Sequence, residues 1–441
     1  MKRFLNTCAG CLLMHCIAFC QTPAIQWQKC FGGKSYDDAS EIQSTLDGGY
    51  IIAGSSLSKD GDVTENHGNF DYWIVKVTGT GNIQWQKSFG GKGSDVAKSV
   101  QPTLDSGFIV AGYSASNNGS VTGNHGGDDF WIIKLTGRGE IEWQKSLGGT
   151  ASDQALSVRL TSDGGYIVAG TSASNDGDLT GNHGRDDGWI VKLSSKGDIE
   201  WQTNIGGSKD DVVSAIQPLA NGGYIAAGFS TSNIIGATKN HGAKDYWVIK
   251  LKKSGIVEWQ KSFGGSGEEM AYDIKATADS GYIVAGFSGS NNGDVSGNHG
   301  DYDCWIVKLN GAGNIQWQKS LGGKGIDVAE SIDITKDNGY VVAGYSTSND
   351  GDVSGNHGGY DYWVFKLTDA GDILWQKCFG GTDKDMAQYI QMTKDGSYII
   401  AGESSSNNGD LNAVHGVHTI DPNANFNYST SDYWIVKLSG L

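Results

Sequence analysis

Between residues 39 and 91 the apolar side chains fall into four short runs, ASEIQST, GYIIAGS, DYWIVKV and NIQWQKSFGG, separated by stretches rich in Gly, Asp, Asn and Ser. Runs of this length, rich in β-branched and aromatic residues and bounded by turn formers, predict four β-strands, named A to D here. The stretch LDGGY between A and B holds the Asp-Gly pair of a tight hairpin, because Gly accepts the positive φ such a turn needs. TGTGN joins C to D in a second hairpin. The chain has four Pro, none inside a B, C or D run, so those ladders keep their donors.

The pattern recurs. Trp27, Trp85, Trp143, Trp201, Trp259, Trp317 and Trp375 follow one another at steps of 58 residues. Trp73, Trp131, Trp189, Trp247, Trp305 and Trp363 keep the same step, and Trp434 comes after an insertion of 13 residues. Seven units of four antiparallel strands predict an all-β fold, a seven-bladed β-propeller in which each blade buries its apolar faces against its neighbours. Residues 25–31 read as a D strand and the last copy, 386–438, ends on a C strand. The N-terminal strand is therefore expected to complete the last blade and close the ring. In the C–D hairpin, Val77 opposite Ile83 would set Val75 against Trp85 and Trp73 against Lys87 on one face, with a Lys stem along an indole. That packing accounts for the Trp without a ligand; its rival is an array of indoles stacking on sugars.

At the start, Lys2 and Arg3 precede an apolar run through Phe19, the layout of a signal peptide over residues 1–20, with the propeller over 21–441. Export to the periplasm or the cell surface is expected. Cleavage after Cys20 is preferred to lipidation of Cys20, because Phe19 stands where a lipidation signal carries a small residue. No later stretch approaches the ~20 apolar residues of a spanning helix. Removing the leader takes away Lys2 and Arg3 and moves the net charge from −16 to −18, which argues against nucleic acid and anionic membrane as partners. Cys30, Cys304 and Cys378 remain, an odd number without disulfide or zinc spacing, so free thiols are expected. Cys30 and Cys378 should sit in neighbouring blades, beyond bridging distance.

Assembled from the copies, the stretch WIVKLxxxGNIQWQKSxGGKGxDVAxSIxxTxDxGYxVAGYSxSN resembles the SBBP-type β-propeller repeat of secreted bacterial proteins. The likeness runs over nearly all of residues 24–441, with the Lys-Leu, Gly, Trp, Gly-Gly, Gly-Tyr and Ala-Gly-Tyr-Ser elements in family order. It implies an exported propeller of unassigned activity. The GxIxWQ strand is also similar to the tryptophan-docking repeat of quinoprotein dehydrogenases, without their adjacent Cys pair. GNIQW has a faint likeness to bulb-type lectins, without their mannose motif.

The D–A and B–C connections are expected on one face. The B–C loop SNDGDVSGNHGGYD offers oxygen ligands at Asp350, Asp352, Ser354 and Asn356, with Gly351 at the bend, somewhat as in an EF-hand loop, so calcium is one reading. The preferred reading is a loop in which Asn, Asp and Ser side chains bond the backbone. The repeated His67, His125, His183, His241, His299, His357 and His415 read as turn residues bonding their own loops. Asp71, Asp129, Asp187, Asp245, Asp303, Asp361 and Asp432, two residues before each Trp, read as loop-closing acceptors. At the D–A corner, Asp37, Asp95, Asp153, Asp211, Glu269, Asp327 and Asp385 offer either an acidic ring around the channel mouth or seven acceptors of tight-turn amides.

Two copies depart from the rest. Copy four has an apolar loop tip at Ile234 and Ile235, and copy seven has a long loop around His415, His418 and Asp421. A ligand-binding site is expected there. No nucleophile, base and orienting group occur together, so the expected function is a non-catalytic binding or scaffold module, monomeric, for a protein or glycan. A lectin, with calcium assisting, is the second expectation and a propeller enzyme the third.

Overall fold

The computed structural model describes residues 22–233, 239–411, 415 and 430–440. They form 28 strands in seven four-stranded antiparallel sheets, and no helix among them is long and apolar enough to cross a membrane. The leader over 1–20, the apolar tip Ile234 and Ile235, and His418 and Asp421 lie outside the described residues.

In blade 1 the strands are A (Asp37–Ser44), B (Tyr50–Ser56), C (Asp71–Val77) and D (Ile83–Phe89). Each A strand contacts the A strand of the next blade, and the last contacts the first, so the A strands surround a central channel and the ring is closed. The expected closure is present. The strand Ile25–Phe31 pairs antiparallel with Asp432–Leu438 and supplies the D strand of blade 7.

The C–D register differs from the expected one. Val77 does face Ile83, but Lys76 faces Trp85, Val75 faces Gln86 and Trp73 faces Ser88. Gln84 is an extra residue in the D strand, a β-bulge that turns every later side chain to the other face. The two Trp series therefore serve opposite faces of a blade. Trp73 packs on Tyr433 of blade 7 at 4.5 Å between ring centroids and donates Nε1–H to Gln86 at 2.8 Å. Trp85 packs on Phe108 of blade 2 at 5.9 Å and donates to the Gly137 carbonyl at 3.2 Å. Each blade thus grips both neighbours, and the indoles are wedged between blades. The C-strand Trp are fully buried, which gives them no face for a sugar.

The closing interface has the same parts, Tyr433 on Trp73 and Trp27 on Tyr50. Gly81 in the C–D turn shows what the packing demands: its φ is 76° and a Cβ would come within 2.8 Å of the Trp27 ring. Cys30, Cys304 and Cys378 are free. Cys30 lies in blade 7 and Cys378 in blade 6, and burial pushes both thiols up to about 12.

Candidate functional site

Most of the polar side chains that repeat in every blade are bonded inside the fold, although Oδ1 of Asp71, Asp129, Asp187, Asp245, Asp303 and Asp361 is buried without a hydrogen-bond partner. Asp37 accepts the Gly33 amide and the Ser58 hydroxyl at 2.8 Å each, and the Ser56 hydroxyl as well. The same three-way acceptance recurs at Asp95, Asp153, Asp211, Asp327 and Asp385. Together with Glu269, these residues are 0% exposed, so the acidic ring around the channel mouth is not formed. The first residue of strand A turns into the blade, where the D–A corner folds over it. Burial pushes Asp37 up to about 7 against its hydrogen bonds, and raises Asp95, Asp211, Glu269, Asp327 and Asp385 in the same way.

The calcium candidates diverge. Asp350 accepts the Lys324 amide at 2.9 Å and Asp352 the Gly322 amide at 3.2 Å. Asn356 donates to the Ser346 carbonyl at 2.8 Å and accepts the Gly358 amide at 2.9 Å. The two Asp bonds stitch the B–C loop of blade 6 to the D–A corner that enters it, and the Asn356 bonds close the loop on itself, the self-bonded arrangement. Among the described residues no three His, Cys, Asp or Glu side chains gather as a metal set.

The His ring works alike in all seven copies. In the first six, His Nδ1 lies 2.5–2.8 Å from the Asp four residues on, as in His125 with Asp129 at 2.7 Å. His415 reaches Asp432 at 2.8 Å across the whole insertion, so copy seven keeps the common contact. Burial pulls His415 down, but the hydrogen bond and charge of Asp432, with Asp62 beyond, raise it on balance. His415 thereby closes its corner by the same contact as the other six His.

Individual chemistry appears in the channel. Strand A pairs Ala39 with Gly54 and Glu41 with Ala53, which leaves Ser40 as a bulge residue. The equivalent residues are Lys98, Leu156, Ser214, Tyr272, Glu330 and Gln388, and all seven line one channel cavity of about 350 Å³. The next residue along each strand makes the floor. Glu41 accepts Val100 N at 3.0 Å, Gln101 at 2.9 Å and Gln43 at 2.7 Å, with Arg159 at 3.3 Å. Asp273 accepts Ile332 N at 3.1 Å and pairs with Lys275 at 2.8 Å. Glu41, Ser99 and Asp273 thus tie one blade to the backbone of the next.

Above this floor the walls are uneven. Half-buried Leu156, Val212, Phe229 and Met270 make an apolar sector on blades 3 to 5, and Lys98 and Glu330 come from blades 2 and 6. Burial pushes Glu330 up to about 8, with Lys98 opposing the rise and Asp38 adding to it. Sequence reasoning passed over these positions. The signal was present: among the copies this column reads Ser, Lys, Leu, Ser, Tyr, Glu, Gln, directly after a residue that is Ala in every copy except Val213. A larger groove, about 590 Å³, lies among the turns where blades 6 and 7 meet. Its Lys366–Asp337 pair recurs as Lys76–Asp47 and Lys308–Asp279, so it lacks individuality.

No family model matches the chain. Over 216 residues, 44% of this chain, it is 24% identical to the regulatory protein FlaEY of Caulobacter vibrioides, and the match spans 22% of that protein's length. Among solved structures, the WD40 β-propeller domain of Doa1 superposes with a TM-score of 0.51 at 9% identity, over 95% of this chain and 97% of that one. This chain is a seven-bladed β-propeller. BamB from Moraxella catarrhalis aligns over 95% of this chain and 98% of that one at 13% identity, but a TM-score of 0.43 is too loose to add to that conclusion. Similarity at these identities describes the fold.

Proposed function

We propose that the chain is an exported, non-catalytic propeller of the SBBP type that binds a protein partner through the channel and the face carrying the B–C and D–A connections. One observation carries this reading. Apart from one buried carboxylate oxygen on Asp71 and its five equivalents, the repeated acids and loop side chains are engaged in internal hydrogen bonds, whereas the residues that differ between blades converge on the channel. A ring that is symmetric in structure and asymmetric in one cavity suits selective binding better than turnover. Support shifts from glycan to protein, since the indoles available for stacking are wedged between blades. Calcium is not required, because the loop oxygens already hold backbone amides.

The test is selection of residues 21–441 against a displayed library of peptides and folded domains, in parallel with a glycan array, each with calcium and with chelator. Saturable protein or peptide ligands that survive chelation support the reading. Saturable glycan binding that chelator abolishes would replace it with a lectin, and product release from an array sugar with an enzyme.

A further inference from the structure

We propose that the channel cavity holds a small amphipathic zwitterion, an amino acid or short peptide with an apolar side chain, whose carboxylate meets Lys98 and whose ammonium meets Glu330. This rests on the reading of the channel as the recognition site and adds the chemical class of its occupant, which protein binding at the face carrying the B–C and D–A connections does not require.

Three observations converge. Lys98 and Glu330 face one cavity from blades 2 and 6, and the Lys98 charge acts on the Glu330 carboxyl although no ion pair or hydrogen bond joins the two. Elsewhere in the channel the charges are satisfied, as in Glu41 with Arg159 and Asp273 with Lys275. An ammonium and an ionisable carboxyl held apart over a cavity suit a ligand that carries both signs, whose own ammonium draws Glu330 into its charged form and completes the pairing. The remaining wall is apolar, from Leu156, Val212, Phe229 and Met270, which a plain salt or sugar would leave unused and an apolar side chain would cover. A volume of about 350 Å³ lies at the small end of ligand pockets, fitting one amino acid or a very short peptide. Position also favours capture. The seven bulges aim one side chain per blade at the axis, and the hydrogen-bonded belt of Glu41, Gln43, Gln101 and Gln391 supports them from below.

The state of Glu330 adds a signature. Its carboxyl is pushed up to about 8 by burial, with Lys98 opposing and Asp38 reinforcing; Tyr272, Tyr345 and Cys304 also face its field. At pH 7 it holds its proton in the free protein, and an arriving ammonium favours the ionised form. Binding therefore releases a proton to the buffer.

Titration calorimetry of the intact propeller, 21–441, tests this with leucine, phenylalanine, leucyl-leucine, leucinamide, N-acetyl-leucine and glycine. Leucine or leucyl-leucine is expected to bind at least tenfold more tightly than glycine, leucinamide or N-acetyl-leucine. The better of those two ligands tells a free amino acid from a peptide. Lys98→Met should erase the preference over leucinamide, and Glu330→Gln the preference over N-acetyl-leucine. Heats should differ between Tris and phosphate in the parent and agree in Glu330→Gln. Both variants should melt with the parent, which separates lost binding from lost folding. Absence of binding by any zwitterion at 10 mM to the folded protein, equal affinity for glycine, or unchanged preferences in both variants would overturn the proposal.

Discussion

Asp37 accepts the Gly33 amide and two serine hydroxyls while wholly buried, and burial pushes its carboxyl up to about 7. The folded state then holds that proton more tightly than the unfolded chain, whose Asp titrates near 3.9. Between these values the folded state binds more protons, so stability falls as pH rises from about 4 to about 7 and is level above. The turn acids act in the opposite sense. Burial works against it, but hydrogen bonds from Thr45 and Lys76 hold Asp47 at about 2; Asp105, Asp163 and Asp279 are held there likewise, and their small, mostly exposed contribution is lost as pH falls below about 4. Melting temperature measured from pH 2.5 to 8 is expected to peak between about 4 and 5. Asp37→Asn, a neutral isostere, should stay within about 1 kcal/mol of the parent at pH 7, whereas Asp37→Ala leaves buried donors unmet and should cost about 2–3 kcal/mol in chemical denaturation. The type and spacing of these acids were legible in the chain. Their direction was not, because whether the first residue of strand A faces the channel or the blade depends on how the D–A corner folds over it.

Strands, turns and the Trp rows were readable from periodicity, while the two bulges were not. An extra residue such as Gln84 or Ser40 leaves composition and spacing unchanged, yet reverses the face of every side chain beyond it. The first bulge places the two Trp rows on opposite faces, and the second creates the channel lining that sequence reasoning missed. The rows should therefore differ in energetics. Trp189→Ala removes a fully buried indole packed on Phe130 at 4.5 Å and should cost about 3–5 kcal/mol. Trp201→Ala removes a half-buried one at the blade rim and should cost less, about 1–2 kcal/mol by urea titration. The B–C loops, held by backbone amides to their Asp and Asn side chains, should melt at the same temperature in calcium and in EDTA. A rise of several degrees with calcium would return the loop to the metal reading.

Closure turns seven marginal sheets into one molecule, since no blade can bury both faces alone. The offset of the chain ends announced it, and the pairing of Ile25–Phe31 with Asp432–Leu438 delivers it. A chain starting at residue 32 should lose the outer strand of blade 7, expose the Tyr433–Leu438 edge and self-associate, as seen by light scattering. Symmetry holds the ring together, and the departures from it gather in the channel: Lys98 and Glu330 stand in a cavity that the other blades line with Ser, Leu, Tyr and Gln. The most direct check is to measure melting temperature and ligand binding together for Lys98→Met, Glu330→Gln and Asp95→Ala. The two channel variants should melt within about 2 °C of the parent and lose the ligand, while Asp95→Ala melts several degrees lower and binds normally below its transition. Channel variants that unfold, or that bind as the parent does, would contradict the division between a structural repeat and a functional channel.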